Sequence, residues 1–213
     1  MVMVLQERDI EILRWVNGCG FVTVNQVKRW MGVGETAGYV RVRKLVDGGY
    51  LKRKRVFHNQ ERIHWISNQA QNLIQDDVKN PKRVNISTYH HDLLLVDLGL
   101  YLEKTNEGNF IPERRVRNLN VTESVIGKKG RIPDGVLIQQ NNQKPIAIEL
   151  ELSLKSKDRL RKIINDYMVN FNYSAVWYFT NNQAVHNALS KFIKPPSPIK
   201  IYQFQLINKE IQI

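Results

Sequence analysis

Three acids stand close together in an otherwise basic stretch, "RIPDGVLIQQNNQKPIAIELELSLKSKDRLRK", which runs from Arg131 to Lys162. Asp134 follows Pro133, and Glu149 and Glu151 lie one residue apart inside an apolar run. In "PIAIELELS" the residues Ile146, Ile148, Leu150 and Leu152 alternate with Ala147, Glu149, Glu151 and Ser153. That alternation is the period of a strand. It predicts both glutamates on one face, about 7 Å apart along the strand. Like charges at that spacing repel unless a cation or water separates them, so the residues ask for a bound cation. The bland alternative is an exposed edge strand whose charges discourage aggregation.

The elements that must position these acids are legible on either side. "FIPERRVRN" is expected as a strand that carries Glu113, Arg115 and Arg117 on one face, with Glu113 as an outer partner of the acids. "DGVLIQQ" is expected as a second strand and "PIAIELELS" as a third, with the polar turn "NNQK" joining these last two. "KSKDRLRKIINDYM" is expected as a helix whose apolar face is Leu160, Ile163, Ile164, Tyr167 and Met168. Arg159 and Lys162 fall on its opposite face, where they can track a DNA strand. Lys155 stands at the start of this helix and is a phosphate contact, or a cation for the acids if the chain bends back. "SAVWYFT", "QAVHNALSKFI" and "IKIYQFQLI" then predict a strand, a helix and a final strand. With a helix over "YHHDLLLVDLGLYLEKT" the order is α, β, β, β, α, β, α, β, an α/β domain with a mixed sheet over residues 89–213.

Residues 1–75 read as a separate unit. "QERDIEILRWVNGCG" has apolar residues at helical spacing and glycines to stop it, and a second short helix runs from about Val24 to Met31. "ETAGYVRVRKLVDGGYL" gives a third helix, with Val40 expected inward beside Ala37, Lys44 and Leu45. Two strand-like runs, "YLKRKRV" and "RIHWI", follow around a polar turn. Three helices and a hairpin make a winged helix-turn-helix, and "RKLVDGGYLKRKR" resembles the passage from third helix into wing in bacterial DNA-binding domains. A helix fits the major groove and flanking basic residues hold phosphates. Thr36, Tyr39, Arg41, Arg43 and Lys44 are therefore expected on or near the recognition helix, with Lys52, Arg53, Lys54 and Arg55 along the wing. Because a strand alternates faces, these last four cannot all touch one backbone. Winged helices also mediate protein contacts, which is the competing expectation. Residues 76–88 carry no periodicity and read as a linker.

Charge agrees with a polyanionic partner: 32 Lys and Arg against 20 Asp and Glu give +12, shared equally by the two sides of Ala70. Cys19 is the only cysteine, which rules out an internal disulfide framework and suits a reducing, cytoplasmic setting. No apolar run reaches membrane length, and no membrane partner is expected. His90 and His91 are adjacent, so on a helix they point about 100° apart and do not readily clamp one ion.

The order of elements, the proline and aspartate opening the second strand, and E-x-E in the third resemble the PD-(D/E)XK nuclease superfamily, whose fold is restriction-endonuclease-like. The resemblance covers roughly Tyr89 to Phe204. Pro133 and Asp134 fall on "PD", Glu149 on the (D/E), and Glu151 where most members have lysine. It implies a fold class of α+β overall, an N-terminal winged helix followed by a nuclease-like domain. Asp134, Glu149 and Glu151 would be metal ligands for Mg²⁺ or Mn²⁺, a hard ion that takes oxygen donors, keeps several waters and binds phosphate. Asp134, Glu149, Glu151 and Lys155 would form the catalytic set, with the metal activating a water for attack on a phosphodiester.

A winged helix before such a domain resembles the plasmid replication-relaxation family and the related MOBC mobilization relaxases. This implies a DNA-binding, metal-dependent nickase that recognises double-stranded DNA at the origin of a mobile element, with a homodimer or accessory mobilization or replication proteins as further partners. Most other relaxases use a tyrosine nucleophile with a three-histidine metal site; no such histidine cluster is present here, so a hydrolytic route is expected. Two alternatives stay open: an origin-binding initiator or transcriptional regulator on a degenerate nuclease fold, and a dimeric double-strand endonuclease.

Overall fold

The computed structural model describes residues 4–123, 131–140, 144–207 and 210–213, with backbone alone for 119–123. The chain divides into two compact units, Met1–Val96 and Asp97–Ile213. It is an α+β protein with eight helices and a mixed five-stranded sheet among the described residues.

In the first unit α1 spans Glu7–Cys19, and its start is fixed by a reciprocal cap between Gln6 and Asp9, whose carboxylate accepts the Gln6 N–H at 2.8 Å. Gly20, at φ 88°, lets the chain turn out of the helix. β1 (Val22–Thr23) leads into α2 (Val24–Met31), capped by Thr23 with Gln26. Stacked Trp15 and Trp30, 5.1 Å between centroids, pack α1 against α2. α3 spans Glu35–Asp47, and β2 (Leu51–Lys54) and β3 (Ile63–Ile66) complete an antiparallel sheet in the order β1-β3-β2.

The buried face of α3 is Gly38, Val42 and Leu45. Val40, expected inward with Ala37 and Lys44, is exposed, as are both of those neighbours. The reason is the close approach of α2: a Cβ at Gly38 would lie 2.2 Å from Lys28 Cγ, so the glycine, not the valine, faces the core. A short helix, α4 (Asn68–Ile74), follows β3. Residues 76–88 hold no helix or strand, yet the buried Asn17 of α1 donates to Val78 O at 2.5 Å and to Asp76 Oδ2 at 3.0 Å. α5 spans Tyr89–Asn106, and the division between the units falls within it.

The second unit is built on β4 (Gly108–Pro112), β5 (Gly135–Gln139), β6 (Ile146–Leu150), β7 (Ala175–Thr180) and β8 (Ile199–Gln203), in that spatial order. β5 pairs antiparallel with both β4 and β6, whereas β6, β7 and β8 are mutually parallel. Parallel neighbours need helical crossovers, supplied by α7 (Lys157–Met168) and α8 (Gln183–Ser190). Leu160, Ile163, Ile164 and Tyr167 of α7 pack with Val185 and Leu189 of α8 on Ala147, Val176 and Tyr178. Met168, expected in that stripe, is instead exposed.

Two expected strands end early. "FIPERRVRN" stays extended only to Pro112, and α6 (Glu113–Glu123) begins at the next residue. Glu113 stands in the first turn of that helix and pairs with Arg117 one turn on, so the two charges support a helix there. "IKIYQFQLI" breaks at the buried Phe204, and a separate hairpin of β9 (Gln205–Ile207) and β10 (Glu210–Gln212) follows. Among the described residues no helix is long and apolar enough to cross a membrane.

Candidate functional site

All five residues of β6 are buried, and Glu149 is the charged one among them. The pairing of Gly135 with Ile148 brings the next positions, Asp134 and Glu149, opposite each other across β5 and β6. Asp134 Oδ2 accepts the backbone N–H of Leu150 at 2.8 Å, which pins its carboxylate at the end of β6. Glu113 contributes by its backbone, its N–H donating to Asp134 O at 2.8 Å, while its side chain goes to Arg117. The expected strand face of Glu113, Arg115 and Arg117 is therefore replaced by the first turns of α6.

Glu149 is 4% exposed, and its carboxylate is held on two sides. Arg131 Nε donates to Oε1 at 2.8 Å and Nη2 to Oε2 at 3.1 Å, a fork matched to the two oxygens. The Tyr167 hydroxyl donates to Oε1 from α7. Burial and then the Asp134 charge push the Glu149 carboxyl above its usual range, while Arg131 and Tyr167 pull it back. Burial alone would lower Arg131, but its bonds to Glu149 outweigh that and raise its proton affinity. Tyr167 is raised by burial and by the adjacent carboxylate, and burial pushes Tyr173 up to about 12. These rings were legible only as core; nothing in an apolar stripe announces where its one hydroxyl points.

Glu151 lies just past β6, with its N–H continuing the ladder to Phe179 O at 2.9 Å. It is buried rather than displayed on an exposed edge. Lys155 turns back to pair with its Oε2. Burial lowers the Lys155 pKa, with the charges of Glu149 and Asp134 opposing that shift. The loop after β6 thus returns a lysine to the neighbourhood of all three acids. Arg159 and Lys162 are exposed on α7.

Among the described residues no three acids, histidines or cysteines converge as a ready-made metal cage. A Mg²⁺-type ion does not need one, because it binds through one or two carboxylates, its own waters and the substrate phosphate. Asp134 and Glu149 supply such a pair. The buried hydroxyls of Tyr173 and Tyr178, both close enough to Glu149 to feel its charge, have no hydrogen-bond partner among the described residues. Polar groups of that kind suit a hydrated ion, and the residues fit.

In the first unit Thr36, Tyr39 and Arg43 share one exposed stripe of α3 at i, i+3 and i+7, with Val40 and Lys44 beside it. Arg41 points the other way: its guanidinium is 12% exposed and pairs with the fully buried Asp9. Lys52, Arg53, Lys54 and Arg55 are exposed along and after the edge strand β2. Lys52 pairs with Trp65 and Arg53 with His64, so adjacent cations face opposite sides of the sheet. His91 lies 3.4 Å from Asp92 and His90 stacks on Phe57, so the two rings diverge.

Comparison with protein-family models, curated proteins and solved structures gives no match for this chain.

Proposed function

We propose that this protein binds double-stranded DNA through its N-terminal unit and cuts one strand with a divalent metal held by Asp134 and Glu149. The observation that carries the reading is the meeting of those carboxylates across β5 and β6, with Lys155 folded back beside them. Charge buried at the end of a strand costs stability, and such groups with shifted proton affinity mark functional sites. The antiparallel-then-parallel sheet with a helix after β6 agrees with a restriction-endonuclease-like fold. Mg²⁺ or Mn²⁺ would supply charge stabilisation and an activated water at the scissile phosphate. Asp134 and Glu149 would hold the ion, Glu151 would fix Lys155, and Lys155 would meet the phosphate as negative charge develops.

Three helices and an antiparallel sheet, with Thr36, Tyr39, Arg43 and Lys44 exposed on α3, support a winged helix whose third helix enters the major groove. Val40 joins that face and gives it an apolar contact of the kind that meets a thymine methyl. One face of the wing, either Lys52 with Lys54 or Arg53 with Arg55, would then reach phosphates, and Arg159 and Lys162 would do so from α7. The resemblance to plasmid relaxases makes an origin on a mobile element the natural target. A second reading, origin binding without cleavage, has one observation in its favour: Arg131 already neutralises Glu149.

The test is conversion of supercoiled plasmid carrying the native origin region, with Mg²⁺ or Mn²⁺, by wild type and Glu149→Gln. Open circles from wild type alone support the nickase. Footprinting without nicking leaves the binding protein, and a covalent tyrosyl-DNA adduct contradicts the hydrolytic route.

A further inference from the structure

Arg131 stands where the metal reading needs a cation. Both of its bonds to Glu149 use the carboxylate oxygens that an ion would take, at 2.8 and 3.1 Å. Its guanidinium also lies over the Tyr167 ring, 5.9 Å from the centroid, so the arginine is held from a second direction. At the side chain Glu149 is 6% exposed and Arg131 28%, so the arginine is the more solvent-accessible member of the pair.

Resting on the metal-site reading, we propose that Arg131 is a resident counter-cation that competes with the divalent ion for Glu149, so that loading the site requires the guanidinium to swing away. A divalent ion brings two positive charges to the two facing carboxylates, where the guanidinium brings one. Its partial exposure gives the arginine somewhere to go: its long stem can carry the head into water while Glu149 stays fixed by Tyr167. In the metal-free protein the same bond lowers the cost of keeping a buried carboxylate next to another acid. Arg131 is thus a positioning residue that sets metal affinity.

The experiment is calorimetric titration of Mn²⁺ alone into the full chain at pH 7.5, for wild type, Arg131→Gln, Arg131→Lys and Glu149→Gln. Competition predicts that Arg131→Gln binds Mn²⁺ about tenfold more tightly or better than wild type. Arg131→Lys, which keeps the charge but loses the fork, should fall between them and carries the test if the glutamine variant fails to fold. Melting temperatures give a second readout: Arg131→Gln should melt lower than wild type without metal and gain more from Mn²⁺. Wild type that binds Mn²⁺ through Glu149, with both arginine variants binding no more tightly, overturns the competition and leaves the metal site standing. If no variant binds Mn²⁺, the metal site and the competition fall together.

Discussion

The Tyr167 hydroxyl and Arg131 Nε donate to one oxygen, Oε1 of Glu149, from α7 and from the segment before β5. The tyrosine is therefore the buried part of the acid's cradle and the arginine the partly exposed part. Removing the hydroxyl with Tyr167→Phe should cost about 1.5–3 kcal/mol, the range for a hydrogen bond to a charged group. Tyr178, whose hydroxyl has no partner among the described residues, is the control. Tyr178→Phe should stay within about 0.5 kcal/mol of wild type. Urea unfolding of the three proteins measures both.

Arg41 and Arg43 are two positions apart on α3 but do different work. Arg41 compensates the buried Asp9, so Arg41→Ala should cost about 3–5 kcal/mol through an unpaired interior charge. Arg43 is two-thirds exposed, 3.6 Å from Asp47. Arg43→Ala should leave stability within about 0.5 kcal/mol and weaken DNA binding with an altered sequence preference. Thermal unfolding beside binding to a panel of DNA duplexes separates the two; equal loss on every duplex would make Arg43 a phosphate contact.

How much of this could be read from the chain depended on what fixes each feature. Strand alternation located Glu149, and helical spacing with glycine stops located the three N-terminal helices, because those signals are local. The turn of α3 was misjudged at Val40, since what decides it is the packing of the Lys28 side chain of α2 against Gly38, a contact between two different helices. α6 was missed because Phe110–Pro112 gives a strand signal that runs without a break into "ERRVR". Asp134 and Glu149 were expected together, but Arg131 and Tyr167 were not expected between them and solvent or core. A lone arginine before a proline and a tyrosine in an apolar stripe carry no mark of a shared partner.

Phe110 fills the space left by two glycines. A Cβ at Gly99 would lie 2.4 Å from its ring and one at Gly135 would lie 2.4 Å from its Cζ. Gly135 follows Asp134, so overpacking there also strains the acid's position. Gly135→Ala should destabilise by about 1–3 kcal/mol, and adding Phe110→Leu should recover part of that loss. A double-mutant cycle by urea unfolding checks the coupling.

His64 gives the first unit an acid limit. Burial, with Arg53 opposite it, lowers its pKa from 6.5 to about 4. Above pH 6.5 the ring is neutral in both the folded and unfolded chain and contributes no pH dependence. Between 6.5 and about 4 the unfolded chain takes up a proton that the folded chain refuses, so stability falls as pH falls. The full loss is about 3 kcal/mol. His64→Leu should remove that slope, read as unfolding midpoints at a series of pH values by tryptophan fluorescence.

If Asp134 and Glu149 form one metal-dependent cutting site, removing the Asp134 charge alone must disable it, and Asp134→Asn does that. Asparagine keeps an oxygen to accept the Leu150 N–H, so the strand end should survive the loss of charge. The measurement is nicking of supercoiled plasmid carrying the native origin region with Mn²⁺, scored beside the melting temperature. Asp134→Asn should nick at least about a hundredfold more slowly at an unchanged melting temperature. Undiminished nicking by Asp134→Asn, or no metal-dependent nicking by wild type that footprints the same DNA, would contradict it.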